Sequence, residues 1–352
     1  ESKSRIESAF ANCHDLVVQD WRFGAAMEYR ACSYYLETMS QHIDESYVKA
    51  TFLDLSPLLG GLDTELTPES VREFFVSRGI ATHDPSLISS YEKLFEAITN
   101  GNIVMLTDGW DRAIGYEAPG IASRSISEPI MEPVVYGPHY STIEDLKTNL
   151  GILRSLLRTP LFKLVSFQAG TRARRQIVYG YLEGTVNTDN LSVFIERLEK
   201  VRDIDVLETT YLEEWLEQST YSPFPQVRFT ERPDTAVAAL LEGKIIALVQ
   251  GSPTILIAPG LFVEFFSTTE DYYQRSVFTS LIRLLRIAAF LMALMLPSLY
   301  IALTTFHPEL IPTVLLLAIL DTREKIPFPA FVEALLMEFF FELLREAGIR
   351  LP

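Results

Sequence analysis

Cysteine is scarce. Cys13 and Cys32 are the only two in 352 residues, too few for a disulfide framework, and they fit a reducing compartment in which both are ordinary buried thiols. Positive charge is also short, with 30 Lys and Arg against 46 Asp and Glu and a formal net charge of −16. Phosphate binding needs clustered cations in an attractive field, so no nucleic-acid partner is expected. The histidines, His14, His42, His83, His139 and His307, show no metal-ligand spacing among themselves or with the cysteines, and neither metal nor cofactor is expected. Walker A, GxSxG, HExxH and GxGxxG signatures are missing. Their absence removes the common phosphate, acyl-transfer and zinc-hydrolysis chemistries and leaves an enzyme without a constellation. Asp108-Gly109-Trp110 follows an apolar run, where Asp-Gly reads as a turn. The first residues, ESKSRIE, have no Met and no secretory-signal pattern, so the expectation is a fragment. No internal repeat or low-complexity tract stands out.

Charge is absent altogether from one later stretch, IAAFLMALMLPSLYIALTTF at residues 287–306. A helix of these 20 residues covers about 30 Å, the hydrocarbon thickness of a bilayer. It is a transmembrane candidate, and Pro297 is tolerable within it as a kink. Arg275, Arg283 and Arg286 precede the run and Glu309 follows it. A Lys/Arg excess marks the cytoplasmic flank, so the large N-terminal part is expected in the cytoplasm. Residues 310–320 are apolar but too short to cross unless extended by their neighbours, and a re-entrant or half-helix segment is the equal alternative. Pro327-Phe328-Pro329 then breaks the chain, and 330–347 reads as another helix.

Upstream, short apolar runs alternate with helical periodicity, the pattern of mixed α and β domains. Strands are expected at 16–23, 103–107, 132–136, 164–168, 176–182, 244–250 and 254–258, the last two joined as a hairpin by Gly251-Ser252-Pro253. Ser141-Thr142-Ile143-Glu144 reads as a capping box opening a helix to about residue 157. Asp189 is placed to cap a helix over 190–201, and Pro233 starts one closed by Gly243. A length of 352 residues predicts two or three cores. The string GIASRSISEPIMEP at 120–133 breaks every periodicity and marks a boundary. The expected fold is a mixed α/β (α+β) cytoplasmic region of two subdomains, residues 1–127 and 128–274, followed by the start of an α-helical membrane domain at 275–352.

Several Pro-containing polar strings are not required by local structure: Glu128-Pro129, Glu132-Pro133, Tyr136-Gly137-Pro138, Pro223-Phe224-Pro225-Gln226 and Thr230-Glu231-Arg232-Pro233-Asp234. Read alone, they are rigid loops around a subdomain junction. Glu231 and Asp234 favour a helix start electrostatically, and Arg232 is expected to pair with a carboxylate or carbonyl of the 128–132 loop. Together with LKTNLGILR, LLEGKIIALVQGSP, EDYYQRS, LIRLLR, LPSLYIAL, FHPELIPT and IPFPAFVEALLMEFFFELLREAGIRLP, these strings follow in order the pattern of the GerA family of spore germination proteins. The chain resembles that family from about Asp15 to Pro352, most densely after Glu128.

The resemblance implies the A subunit of a nutrient germinant receptor in the spore inner membrane. It also implies assembly with a multi-spanning B subunit and a lipoprotein C subunit, and A-subunit oligomers that form a nutrient-gated ion channel. A non-conducting scaffold that relays a signal is the alternative. The family motifs carry Glu128, Pro129, Glu132, Gly137, Pro138, Asn149, Pro225, Glu231, Arg232, Pro233 and Asp234 as junction residues. The sequence departs from the family at Tyr136 and His139, where the pattern has arginines. On the last helix, Glu338, Glu342 and Glu346 fall within a sector of about 80°. Ionised groups at the bilayer centre cost about 2.5–3.5 kcal/mol each. The stripe is therefore expected to line a cation path in the oligomer, or else to face water on a helix lying at the membrane surface.

Overall fold

The alternation of LVVQDWRF becomes strand β1 (Leu16–Phe23) in the computed structural model, which describes residues 2–23, 29–40, 69, 73, 86–118, 120, 132, 137–217, 222, 224–268, 271, 273–323 and 327–350. Helix α1 (Ser2–Ala9) precedes it. Strand β2 (Tyr29–Leu36) pairs back against it in register, with Leu16 opposite Leu36. The chain then adds β3 (Ser86–Ile88), α2 (Tyr91–Thr99), β4 (Ile103–Thr107) and β5 (Ala113–Tyr116). Among the described residues these strands form an antiparallel sheet in the order β1-β2-β4-β5-β3.

A second sheet follows the same plan. Helix α3 (Leu146–Leu156) leads into β6 (Phe162–Ala169) and β7 (Arg175–Leu182), then come α4 (Thr188–Glu199), α5 (Tyr211–Leu216), β8 (Arg228–Thr230), α6 (Pro233–Leu241), β9 (Ile245–Val249) and β10 (Ile255–Ala258). The order β6-β7-β9-β10-β8 is the first sheet's order again, antiparallel throughout. Lengths match element by element. The leading hairpin strands are 8 residues each in both sheets, the short edge strands 3, the helices after them 9, and the closing strands 5 and 4. So an architectural repeat exists where none was expected from sequence. Both 9-residue helices also end alike. Asn102 N–H donates to Ala97 O at 3.0 Å, Lys244 N–H donates to Ala239 O at 3.0 Å, and the residues before them, Gly101 and Gly243, take φ of +89° and +83°. That is the left-handed closure glycine permits. A Cβ on Gly101 would meet Met39 O at 2.9 Å, and one on Gly243 would meet Thr185 O at 2.6 Å, so close packing adds a second reason for glycine.

The second sheet has helices on both faces. Phe194 and Leu198 of α4 with Leu212 and Leu216 of α5 cover Tyr179, Ala247 and Val249; Leu150 and Leu153 of α3 with Ala236 and Leu240 of α6 cover Val178, Ile246 and Leu248. Strand β9, IIALV, is buried at every position, which is why it is a continuous apolar run rather than an alternation. In the first sheet, Ile6 of α1 and Leu94 and Ile98 of α2 cover Tyr34, Leu36 and Val104.

Several local expectations need correction. Helix α3 is capped by Asp145, which accepts from Thr148 N–H at 3.0 Å; the Ser141 to Glu144 box does not start it. Asn187, not Asp189, caps α4, accepting from the Asp189 and Asn190 N–H groups at 2.9 and 3.1 Å. In both cases a side chain a few residues from the expected one has the extended backbone of a cap. Glu132 lies in a bend, and the rest of the strand expected at 132–136 lies outside the described residues. Pro233 and Gly243 bound α6 as expected, and β9 and β10 form the expected hairpin.

The two sheets meet at a buried ion pair. Arg154 on α3 donates through Nε and Nη2 to both oxygens of Asp15, each at 2.8 Å, and its Nη1 donates to Phe162 O at 2.7 Å. Thr38 Oγ1 donates to Asp15 Oδ2 at 3.0 Å. The two charged side chains are 1% and 2% exposed. Beside them the backbones join directly, with His14 N–H donating to Leu164 O at 2.8 Å and Leu164 N–H to Asn12 O at 3.2 Å. Lys163 Nζ donates to Ala9 O at 2.8 Å.

The chain divides into two compact units, Glu1–Phe265 and Phe266–Pro352. The second contains α7 (Ser276–Phe306), α8 (Thr313–Arg323) and α9 (Ala330–Arg350). Helix α7 has 31 residues, beginning well before the uncharged run because Ser276 to Arg286 continue the same helical pattern.

Removing one partner of a buried, fully hydrogen-bonded pair strands the other charge. Asp15→Ala is therefore expected to lower the unfolding free energy by about 3–5 kcal/mol. Lys147→Ala, whose contact with Glu37 is partly exposed, should change it by less than about 1 kcal/mol. Urea titration followed by the fluorescence of Trp21, Trp110 and Trp215 measures both.

Candidate functional site

Strand β8 is an edge of the second sheet, paired with β10 on one side, and the turn from β8 into α6 gathers Glu132, Glu231, Arg232, Pro233 and Asp234. Glu132 accepts from Arg228 Nη2 at 3.2 Å and from the Thr230 hydroxyl at 2.7 Å. Arg232, at the N-cap of α6, is fully buried. Its Nε and Nη2 donate to Asp234 Oδ1 and Oδ2 at 3.1 and 2.8 Å, and its backbone N–H donates to Thr230 Oγ1 at 3.0 Å. Among the described residues the carboxylate that pairs with Arg232 is Asp234, two residues on, while Glu132 takes Arg228 and Thr230; the rest of the 128–132 loop, from which a carboxylate or carbonyl partner was expected, lies outside the described residues. Burial raises the Tyr140 hydroxyl pKa, and the Asp234 carboxylate adds to the shift while Arg232 opposes it.

The approaching segment is fastened here too. Thr142 N–H and its hydroxyl both donate to Glu231 O, at 2.8 and 3.0 Å. Buried Asn149 accepts from Ile143 N–H at 2.8 Å and returns a bond to Ile143 O at 2.5 Å. Pro225 lies partly buried in the loop entering β8, and Gly137 and Pro138 lie partly buried in the loop before Thr142. Glu128 and Pro129 fall outside the described residues. What results is a clamp of carboxylates, guanidinium groups and carbonyls around one turn. Among the described residues it contains no aligned nucleophile and base, and no group of three or more His, Cys, Asp and Glu is placed to hold a metal ion.

In the second unit, Asp271 is nearly buried and faces two arginines of α7. Arg283 Nε donates to its Oδ2 at 3.0 Å and Arg286 Nη1 to the same atom at 3.2 Å. Burial works to raise the Asp271 pKa, but the Thr268 N–H and the Arg286 and Arg283 guanidinium groups hold it below the usual carboxylate range. A depressed carboxylate pKa contributes stability at neutral pH that is lost as pH falls through the folded-state pKa. Helix α9 lies against α7 and carries Glu338, Glu342 and Glu346, all exposed. Arg345 pairs with Glu342 across one turn.

The family described as Bacillus/Clostridium GerA spore germination protein matches residues 4–352. This chain belongs to the GerA family of spore germination proteins. Spore germination protein KA of Bacillus subtilis (strain 168) is 42% identical over 75% of this chain and 48% of its own length. Spore germination protein GerLA of Bacillus cereus is 36% identical over 80% of this chain and 58% of its own length. The uncharacterized membrane protein YfkQ of Bacillus subtilis (strain 168) is 35% identical over 97% of this chain and 64% of its own length. The chain therefore spans about half to two thirds of the curated relatives it matches. In fold, it resembles the crystal structure of the N-terminal domain of the A subunit of the Bacillus megaterium spore germinant receptor GerK3, with a TM-score of 0.55 and 24% identity over 74% of this chain and 94% of that one.

Within this GerA-family chain, Glu132, Glu231, Arg232, Pro233 and Asp234 gather at the β8–α6 turn, while Asn149 holds the neighbouring Ile143 on the approaching segment. Sequence reasoning missed Asp15, Arg154 and Asp271. Arg154 ends the family string LKTNLGILR, where a charge four residues after the buried Leu150 on the core-facing side of α3 was the available signal. Asp271 stands in EDYYQRS among other polar residues and gave none. Of the two positions that depart from the family pattern, Tyr136 lies outside the described residues and His139 is exposed.

Because Arg232 is fully buried and Glu132 only partly, their losses should differ. Arg232→Ala is expected to cost about 3 kcal/mol or more by leaving Asp234 without its guanidinium. Glu132→Gln should cost about 1 kcal/mol or less. Denaturant unfolding of the two variants side by side gives the order; equal costs would refute it.

Proposed function

We propose that this chain is part of the A subunit of a nutrient germinant receptor, and that its C-terminal helices enter the spore inner membrane while residues 1–274 remain on the cytoplasmic side. In this reading residues 1–127 and 128–274 are the two soluble subdomains and 275–352 begins the membrane domain. Copies of the subunit associate with one another and with a multi-spanning B subunit and a lipoprotein C subunit, and the oligomer passes cations when nutrient arrives.

The observation that carries the reading is the surface of α7. It has a mean hydropathy of 2.1 over 18 residues, none of them buried within the chain. Val277, Leu294 and Phe306 are 84%, 68% and 73% exposed. Apolar surface of that extent is stable in water only when something covers it, and lipid or neighbouring subunits are the coverings that a helix of this length fits. Helices α8 and α9 add Val314, Leu317, Phe331, Phe341 and Leu344, all more than half exposed. The stripe of Glu338, Glu342 and Glu346 supports a cation path, since acidic rings attract cations and three carboxylates facing lipid would be costly.

The complete subunit reconstituted in liposomes is expected to conduct cations. Glu338→Gln with Glu342→Gln should lower cation selectivity several-fold without loss of protein from the membrane. Unchanged selectivity with normal assembly removes the stripe from the path, and absence of any flux favours a non-conducting scaffold.

Orientation is tested separately. Tyr211 is half exposed on α5, so Tyr211→Cys should be protected from membrane-impermeant thiol reagents in intact cells and react after permeabilisation, while the buried Cys13 and Cys32 react slowly in both. Labelling of Tyr211→Cys in intact cells reverses the topology.

A further inference from the structure

Helix α7 has one buried residue, Thr279, and the segment ahead of the helix is what covers it. The Thr279 hydroxyl donates to Asp271 O at 3.2 Å. One turn further, Arg283 reaches the Asp271 carboxylate at 3.0 Å. Arg286 reaches it at 3.2 Å, also donates to Phe266 O, and approaches Thr268 Oγ1 at 3.5 Å. Beyond that, Phe290 meets Phe266 edge-on with ring centroids 4.9 Å apart. Positions 279, 283, 286 and 290 follow the i, i+4, i+7, i+11 spacing and lie within about 60° of one another around the helix. Phe266, Thr268 and Asp271 therefore run back along a single face of α7.

A loose tether would leave Asp271 in water and the arginines free. Instead the Asp271 side chain is 5% exposed. The Thr268 N–H donates to its Oδ2 at 3.1 Å and the Thr268 hydroxyl to its Oδ1 at 3.2 Å. Among the described residues the partners of this carboxylate are on the same segment or on α7, and the two α7 partners are the last charged residues before the uncharged run. Charge-assisted bonds of this kind are stronger and more directional than neutral ones.

We propose that Asp271 is a positioning residue that locks the incoming segment onto the first turns of α7, so that a displacement arriving along the chain is transmitted to the apolar part of the helix and not absorbed by the connection. The locking stands on the geometry alone. Its role in gating rests on the channel reading above.

The test uses the complete subunit with Asp271→Asn and Asp271→Glu, and two measurements. Amide exchange of the purified full-length protein in detergent does not depend on conduction. Residues 276–286 are expected to exchange at least tenfold faster in Asp271→Asn, with Asp271→Glu close to the parent and the two sheets unaffected in both. Nutrient-triggered ion release from spores is expected to slow by about tenfold in Asp271→Asn at normal subunit levels and to recover in Asp271→Glu. Unchanged exchange overturns the lock, and faster exchange with unchanged ion release overturns its role in transmission. If the parent complex releases no ions through this subunit, the channel reading fails, and the exchange result alone decides the lock. Should Asp271→Asn fail to accumulate, Arg286→Gln, which leaves the carboxylate with Arg283 and Thr268, reports the same two quantities.

Discussion

Two antiparallel sheets in one chain need something to hold them in a single arrangement, and here that is the bidentate contact between Arg154 and Asp15. The partners are 139 positions apart in sequence, and neither is accessible to water. Such a pair gives little net stability, because desolvation offsets most of the attraction. What it gives is direction. The fork of the guanidinium fits one orientation of the carboxylate, and its remaining nitrogen is taken by Phe162 O, the first residue of β6. Asp15 immediately precedes β1. The leading strand of each sheet therefore starts from the same polar knot, and the direct backbone bonds between His14, Asn12 and Leu164 extend it.

Where structure is dictated by neighbours in sequence, it was readable. The turn Gly251-Ser252-Pro253 between two apolar runs gave the β9–β10 hairpin, and Pro233 with Gly243 gave both ends of α6, since each of these residues has a backbone reason to be there. Strand β2, YRACSYYL, is hard to read because both its faces are buried, Cys32, Tyr34 and Leu36 on one and Ala31 and Tyr35 on the other, so no alternation of apolar and polar residues marks it. Strands β3 and β8 have 3 residues each, too few for any period. The caps of α3 and α4 were misplaced by a few residues at most, since Ser, Thr, Asp and Asn crowd both starts and only the backbone decides among them.

The polar clusters divide along the same line. Proline-rich strings marked the turn between β8 and α6 because proline is visible in sequence. The pairing of Arg232 with Asp234 depends on how the chain turns, which no spacing rule contains. Asp15 and Asp271 were invisible for a stronger reason: a buried carboxylate and an exposed one look identical until the guanidinium that neutralises it is found, and for Asp15 that lies on α3, the helix packed on the other sheet. In the second unit the opposite holds. The apolar run of α7 and the acidic stripe of α9 were legible at once, because they are properties of single helices.

The recurrence of one sheet plan has a practical meaning. Elements of equal length, in equal order, with helices that end in the same glycine closure at Gly101 and Gly243, set different side chains on the same plan twice among the described residues. Gly101 abuts Met39 and Gly243 abuts Thr185; Ser90 caps one helix with its hydroxyl, while Arg232 stands at the other cap and turns its side chain to Asp234. Each half thus serves as an internal control for the other. What the halves share belongs to the architecture, and what differs at matching positions, such as Ser90 at one helix head and the fully buried Arg232 at the other, is not required by that architecture.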